Sequence, residues 1–292
     1  MSYLNKLRES AEKTGNIVCM GLDPVMDHLP AHLGYEIDEI IPAFFEEVFK
    51  EMSDRFLEPA AFKPNQGYYL IHDIPLQGDF SGSKALVKVI KLCQQYFPHT
   101  PIIMDYKRGD IATSSANYAN EGFERWRANA VTISPYMGSD SVIPFLEYSK
   151  LGQGTYILNR TSNKGGKDFQ NLLMQDGDTL YKTVGKKIVE WSQEYPGTGA
   201  VVGATNLNEL KDLAKMFASA EVPLLIPGVG SQGGSACEVM AALKECDYDV
   251  KLARINSSSG ITHPWKKTGH IPENWAEVSA DALEALIGEC KI

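Results

Sequence analysis

Nowhere in the 292 residues do eighteen apolar residues run together, so no segment reads as a membrane-spanning helix. The opening stretch, Met-Ser-Tyr-Leu-Asn-Lys-Leu-Arg-Glu-Ser, mixes charges of both signs and lacks the apolar centre of an export signal. Neither export nor membrane insertion is expected. Paired cysteines are missing too: Cys19, Cys93, Cys237, Cys246 and Cys290 are odd in number, scattered, and never in a Cys-x-x-Cys arrangement. That usage suits free thiols in a reducing cytoplasm. Basic charge is also scarce, with 28 Lys and Arg against 37 Asp and Glu for a formal net charge of −9. A nucleic-acid or anionic-membrane surface would demand the opposite balance. A small phosphorylated ligand remains compatible, because it needs only a local basic pocket. The chain shows no repeat, no low-complexity tract and no Pro/Gly-rich linker. A single domain over 1–292 is expected, with an N-terminal helix at 2–14 and a C-terminal helix at about 275–288.

What the sequence does contain is an alternation. Short β-branched runs occur at 17–23, 61–65, 102–107, 130–135, 155–159, 200–204, 223–227 and 250–256. Between them lie amphipathic stretches at 38–55, 83–96, 112–128, 139–149, 178–194, 207–220 and 235–244, and a last one at 275–287 follows the eighth run. Strand and helix in strict alternation imply parallel pairing through right-handed crossovers. Eight such units in about 250 residues are the size at which the sheet closes into a (β/α)8 barrel, the TIM-barrel class. A doubly wound open sheet is the competing architecture, because 228–233 matches the Gly-x-Gly-x-x-Gly spacing of dinucleotide sites. Its position after the seventh strand argues against that reading, since a dinucleotide fingerprint belongs to a first βα turn. In a barrel, the turns after strands seven and eight commonly bind phosphate. The loop 161–167, Thr-Ser-Asn-Lys-Gly-Gly-Lys, has the composition of a mobile segment.

A barrel collects function at the C-terminal ends of its strands. There the first strand offers Asp23, the second Lys63, and the third Asp105 and Lys107, with Asp110 just beyond. Asp105 and Lys107 are two residues apart, so an extended backbone points them to one face. One reading of this cluster is a structural salt-bridge network. The other is chemical. At ~4 Å and an effective dielectric near 20 each opposite-charge pair is worth roughly 4 kcal/mol before desolvation, enough to keep both lysines protonated. A charged lysine is an acid and not a nucleophile, which disfavours Schiff-base chemistry. A substrate carboxylate held against Asp105 or Asp110 would be relieved by loss of carbon dioxide, and Lys107 could protonate the carbanion left behind.

The stretch Asp105-x-Lys107-x-x-Asp110-Ile111 resembles the signature of the orotidine 5′-phosphate decarboxylase family, in the Lys-Arg-Gly-Asp form of its longer bacterial branch (type 2). The resemblance implies a TIM barrel that converts orotidine monophosphate to uridine monophosphate, with the central lysine as proton donor and no metal or organic cofactor. It also implies a homodimer with active sites at a two-fold interface, where the motif's last aspartate enters the neighbour's site. By the same resemblance Asp23 meets the ribose, Lys63 joins the charged network, Ser162 contacts the pyrimidine, and Gln232 reaches between base and phosphate. Ser114 stands where the family usually has threonine. Ile111, Pro227, Gly230 and Gly233 are expected among the substrate contacts with them.

The resemblance fails at one point. After the eighth strand the family usually reads Asn-Ser-Ser-Arg, and that arginine grips phosphate; here Asn256-Ser257-Ser258 is followed by Ser259. Its charge-assisted bonds must come from another cation or be lost. Lys266, Lys267, Arg160 and Arg254 are the candidates, the lysine pair being preferred because it lies shortly downstream. A magnesium-dependent sugar-phosphate enzyme using the same Asp-x-Lys-x-x-Asp pattern, and a non-catalytic nucleotide binder, are the other readings. Elsewhere the bland interpretations are preferred. His28 and His32 have helical spacing but no third metal ligand in register. Arg125 and Arg127 flank a packing Trp126, and Tyr68 and Tyr69 are packing or loop residues.

Overall fold

A computed structural model describes residues 1–230 and 233–292. Eight strands pair in parallel: β1 Val18–Gly21, β2 Ala61–Lys63, β3 Ile103–Arg108, β4 Ala130–Ile133, β5 Gly154–Arg160, β6 Thr198–Val202, β7 Leu224–Ile226 and β8 Ala253–Ser257. The hydrogen-bonded order is β2-β1-β8-β7-β6-β5-β4-β3, and bridges Phe62↔Ile102 and Asn65↔Asp105 bring β2 to β3. The eight-stranded TIM barrel is the architecture that the alternation implies. Its strands are buried on both faces, inward against one another and outward against a ring of helices, so they read as continuous apolar runs.

The helices form where amphipathic spacing places them, with ends set by capping. Ser2 caps the N-terminal helix Tyr3–Thr14 by accepting the Asn5 amide, and Gly15 ends it in a left-handed conformation. This helix closes the floor of the barrel. There Tyr3 donates to the Tyr156 hydroxyl at 3.1 Å, and the buried Arg254 spends its donors on the carbonyls of Ala60, Lys251, Ala253 and Leu7. The C-terminal helix runs Trp275–Glu289, with Trp275 stacked on Phe44 at 4.9 Å between centroids. Among the described residues no helix is long and apolar enough to cross a membrane.

Three local departures from the sequence pattern have physical causes. Residues 250–252 form a 3-10 turn instead of the start of a strand, because the Asp249 carboxylate accepts the Lys251 amide and caps it. The helical stretch after the third strand is α-helical only over Ala112–Asn120 and continues as a π-turn, Glu121–Arg125. A Cβ on Gly122 would meet the Tyr106 hydroxyl at 2.5 Å, so the wider turn packs directly on β3. The loop after β5 carries a 3-10 turn, Lys164–Asp168, and its root is tied down by Arg160, which donates to the Thr161 carbonyl at 2.7 Å.

Candidate active site

At the C-terminal mouth of the barrel lies a cavity of about 410 Å³ lined by Asp23, Lys63, Asp105, Lys107, Thr132, Ser162, Pro227, Asn256 and Ser258, with Leu158, Val201 and Leu225 also contributing. Two glycines admit the chain that frames it. A Cβ on Gly21 would meet Ser258 Oγ at 1.9 Å, and one on Gly203 would meet Ser162 Cα at 2.7 Å. Larger residues at either position would push a site serine out of place.

Asp105 is the centre of the charged network. Its Oδ2 receives Lys63 Nζ at 3.0 Å and its Oδ1 receives Lys107 Nζ at 2.7 Å. Burial alone would raise the Asp105 pKa, but Lys63, Lys107 and the Thr132 hydroxyl overcome it and hold the carboxyl well below the usual range. For Lys63, burial pulls downward and is outweighed by Asp105 and Asp23, so its ammonium is held above the ordinary lysine value. Both groups therefore stay charged across the ordinary pH range. Lys63 and Asp105 are enclosed, with side chains 5% and 8% exposed, whereas Lys107 is 47% exposed and faces the open cavity.

Lys107 reaches this place by a route that strand alternation does not anticipate. The register with β4 jumps from Met104↔Val131 to Arg108↔Ile133, so Asp105, Tyr106 and Lys107 all lie opposite Thr132. Lys107 itself is left-handed, with φ of 46°. The two side chains do meet, but across a bulge and not along a regular pleat.

A second cavity of about 170 Å³ adjoins the first, sharing Asp23, Pro227, Asn256 and Ser258 with it. Val25, Tyr68, Gly228, Val229, Ser257, Ser259 and Lys266 complete its wall. Gly228, Gly230 and Gly233 all have positive φ, as the Gly-rich turn after the seventh strand requires. Gly230 and Gly233 bond each other within that turn and are not among the residues lining either cavity. Gln232 lies outside the described residues.

The four phosphate-cation candidates separate clearly. Lys266 reaches the smaller cavity and Lys267 does not. Arg254 is excluded because it is fully buried in the barrel floor, at the opposite end from the mouth. Arg160 is buried as well, paired through Nε with Glu209 at 2.7 Å and committed to the loop after β5.

Asp110, Ile111 and Ser114 do not line the cavity of their own chain. Asp110 Oδ1 accepts the Ile111 amide at 2.7 Å, while Ile111 and Ser114 are exposed. Of the residues with bland readings, Tyr69 is buried and donates to the Leu22 carbonyl at 2.8 Å, but Tyr68 borders the smaller cavity. Among the described residues no group of three or more His, Cys, Asp or Glu could hold a metal ion. His28 instead packs against His263 at 5.7 Å.

Two polar residues escape the sequence reading. Thr132 sits inside the apolar run Ala130–Ile133, and its polarity in a strand buried on both faces was the available signal. Asn256, next to last in β8, has Oδ1 buried and without a partner and lines both cavities. An orphaned buried acceptor at a cavity wall is suited to a ligand donor.

His263 supports the loop after β1, its Nε2 lying 3.3 Å from both the Val25 amide and the Asp23 carbonyl. Burial pushes its imidazole down to about 4 from 6.5. A group held neutral in this way contributes stability that is present above its unfolded-state value and lost as pH falls towards 4. The loss should approach about 3 kcal/mol. Urea midpoints measured from pH 7 to 4.5 should fall more steeply for the wild type than for His263→Gln; parallel curves would remove His263 from the acid response.

Fold and site together define a (β/α)8-barrel enzyme with a lysine–aspartate network at its C-terminal mouth. Residues 59–261 match the sequence model of the orotidine 5′-phosphate decarboxylase / HUMPS family. The chain is 36% identical over 290 residues to orotidine 5′-phosphate decarboxylase of Bordetella avium (strain 197N), covering 98% of this chain and 97% of that one. It is 37% identical over 263 residues to the enzyme of the same name from Janthinobacterium sp. (strain Marseille), covering 90% of each. The solved structure of Leishmania donovani OMP decarboxylase superposes with a TM-score of 0.75 at 27% identity, covering 99% of both chains. This chain belongs to the orotidine 5′-phosphate decarboxylase / HUMPS family.

Proposed function

We propose that this chain decarboxylates orotidine 5′-phosphate to uridine 5′-phosphate, a step of pyrimidine biosynthesis, without metal or organic cofactor. The observation that carries the reading is the Asp105 carboxylate gripped between Lys63 and Lys107 in the mouth cavity. Asp105 stays ionised, so a substrate carboxylate beside it meets a fixed negative charge. Cleavage of the C6–carboxylate bond leaves the electron pair on C6 and releases carbon dioxide, which ends that repulsion. The Lys107 ammonium then gives a proton to C6, and the neutral amine recovers one from water. Asp23 takes the ribose and Ser162 the base, Gln232 reaches between base and phosphate, and Pro227, Gly230 and Gly233 are further substrate contacts. Assay of the purified protein on orotidine monophosphate, with and without chelator, tests the reading. Equal uridine monophosphate and carbon dioxide in both is expected; no product, or an absolute need for magnesium, would overturn it.

Lys266 takes the part of the missing arginine on the phosphate, supported by its place with Ser259 on the smaller cavity. A charge-assisted bond of this kind is worth roughly 1.5–3 kcal/mol, or about tenfold to a hundredfold. Lys266→Ala should raise KM for orotidine monophosphate by that factor and leave binding of unphosphorylated orotidine unchanged, with Lys267→Ala near wild type. Equal effects on both ligands would refute the phosphate role.

The active unit is a homodimer in which Asp110, Ile111 and Ser114 serve the neighbour's site. Their separation from their own cavity supports this, as do the exposed apolar side chains Ile71, Leu76, Tyr136 and Met137 on the loops after β2 and β4. A cytoplasmic location fits the five free cysteines. The chain acts as one domain over 1–292.

A further inference from the structure

Thr132 carries no charge and stands outside the Asp-x-Lys-x-x-Asp motif, yet its hydroxyl makes three bonds at the centre of the site. Oγ1 donates to Asp105 Oδ1 at 2.8 Å and accepts the amides of Tyr106 at 3.2 Å and Lys107 at 3.1 Å. A hydroxyl has one proton and two lone pairs, so this one is saturated. The side chain is fully buried. It also lies opposite all three residues of the β3 bulge, whose amides at 106 and 107 would otherwise lack a partner from β4. Regular pairing resumes at Arg108, whose carbonyl accepts the Ser134 amide at 2.7 Å. Outside the bulge, Arg108 is clamped by Gln66 at 2.8 Å and by Glu121.

We propose that Thr132 is a positioning residue: one hydroxyl fixes the Asp105 carboxylate and the left-handed Lys107 backbone together, and so aims the Lys107 ammonium. The assignment rests on the reading of Lys107 as proton donor. A valine keeps the branched shape but offers neither the donor nor the acceptors, so the bulge loses two amide bonds and Asp105 loses one. The flanking anchors at Ser134, Gln66 and Glu121 remain, and the effect is local. A displacement of the acid by about 1 Å is enough for roughly a hundredfold in rate.

The test compares Thr132→Val and Thr132→Ser with wild type in two measurements. In steady state, Thr132→Val should lose about a hundredfold in kcat with KM for orotidine monophosphate within about threefold, and Thr132→Ser should recover to within about fivefold of wild type. In amide hydrogen exchange, the Tyr106 and Lys107 amides should exchange at least about tenfold faster in Thr132→Val and stay protected in Thr132→Ser. Wild-type kcat together with protected amides in the valine variant would overturn the proposal. So would loss of kcat in both variants, which would assign the effect to the methyl group and packing. If Thr132→Val does not fold, the serine variant decides: retained kcat and protected amides support the hydroxyl, and loss of either overturns it. If wild type itself does not consume orotidine monophosphate, the functional reading fails, and exchange still decides whether Thr132 holds the bulge.

Discussion

Lys107→Ala should lose at least about a thousandfold in kcat while binding uridine monophosphate within about threefold of wild type. On the proposed mechanism the ammonium acts on the carbanion and its protonation, and the product makes little use of it. Lys107 is also the cleanest member of the network to remove. Its side chain is half exposed, and Asp105 keeps Lys63 as a partner at 3.0 Å when it is gone. Removing Lys63 or Asp105 would instead strand a buried charge, at a cost of about 3–5 kcal/mol in stability, and would mix a folding defect with a catalytic one. A Lys107→Ala protein with near-normal kcat would take Lys107 out of the mechanism and return the cluster to the role of scaffold.

Mixing two inactive proteins should restore activity. On the shared-site proposal, Lys107→Ala damages the chain that contributes the barrel mouth, and Asp110→Asn damages the chain that contributes the loop. If each site draws Lys63, Asp105 and Lys107 from one subunit and Asp110 from the other, a hybrid dimer holds one doubly damaged site and one intact site. Random reassociation makes about half the dimers hybrids, each with one good site of two, so roughly a quarter of wild-type activity should return. The geometry within one chain motivates the test, because the Asp110 carboxylate accepts the neighbouring Ile111 amide and lines neither of the two mouth cavities of its own subunit. Hybrids that form and restore nothing would assign Asp110 to its own chain.

Much of the fold was legible because a parallel barrel writes itself as alternating β-branched runs and amphipathic stretches, and the charges at the strand ends stand out against dry flanks. Asp23, Lys63, Asp105 and Lys107 do converge on one cavity. What the sequence could not display was geometry that breaks its own period. Asp105-Tyr106-Lys107 reads as a continuing strand, and nothing in the residue types announces three residues opposite Thr132. The π-turn at Glu121–Arg125 is hidden for the same reason, since its side chains suit an α-helix equally well. Arg254 looked like a free cation near the last strand, yet it lies at that strand's inner end, where carbonyls of the barrel floor consume it. The substitution of Ser259 for the usual arginine was visible directly, but choosing Lys266 over Lys267 required knowing which of two adjacent side chains meets the cavity.

The central claim is that the network stabilises a carbanion at C6 and that Lys107 exchanges a proton with it. Since catalysis runs through the same species in both directions, the protein should exchange the C6 hydrogen of uridine monophosphate for deuterium in D2O. That exchange is followed by proton NMR on saturated complexes of wild type and Lys107→Ala. The account predicts loss of the C6 signal with wild type and a rate at least about a thousandfold lower with Lys107→Ala despite bound nucleotide. Equal exchange in both proteins, or none with wild type that turns over orotidine monophosphate, would contradict it.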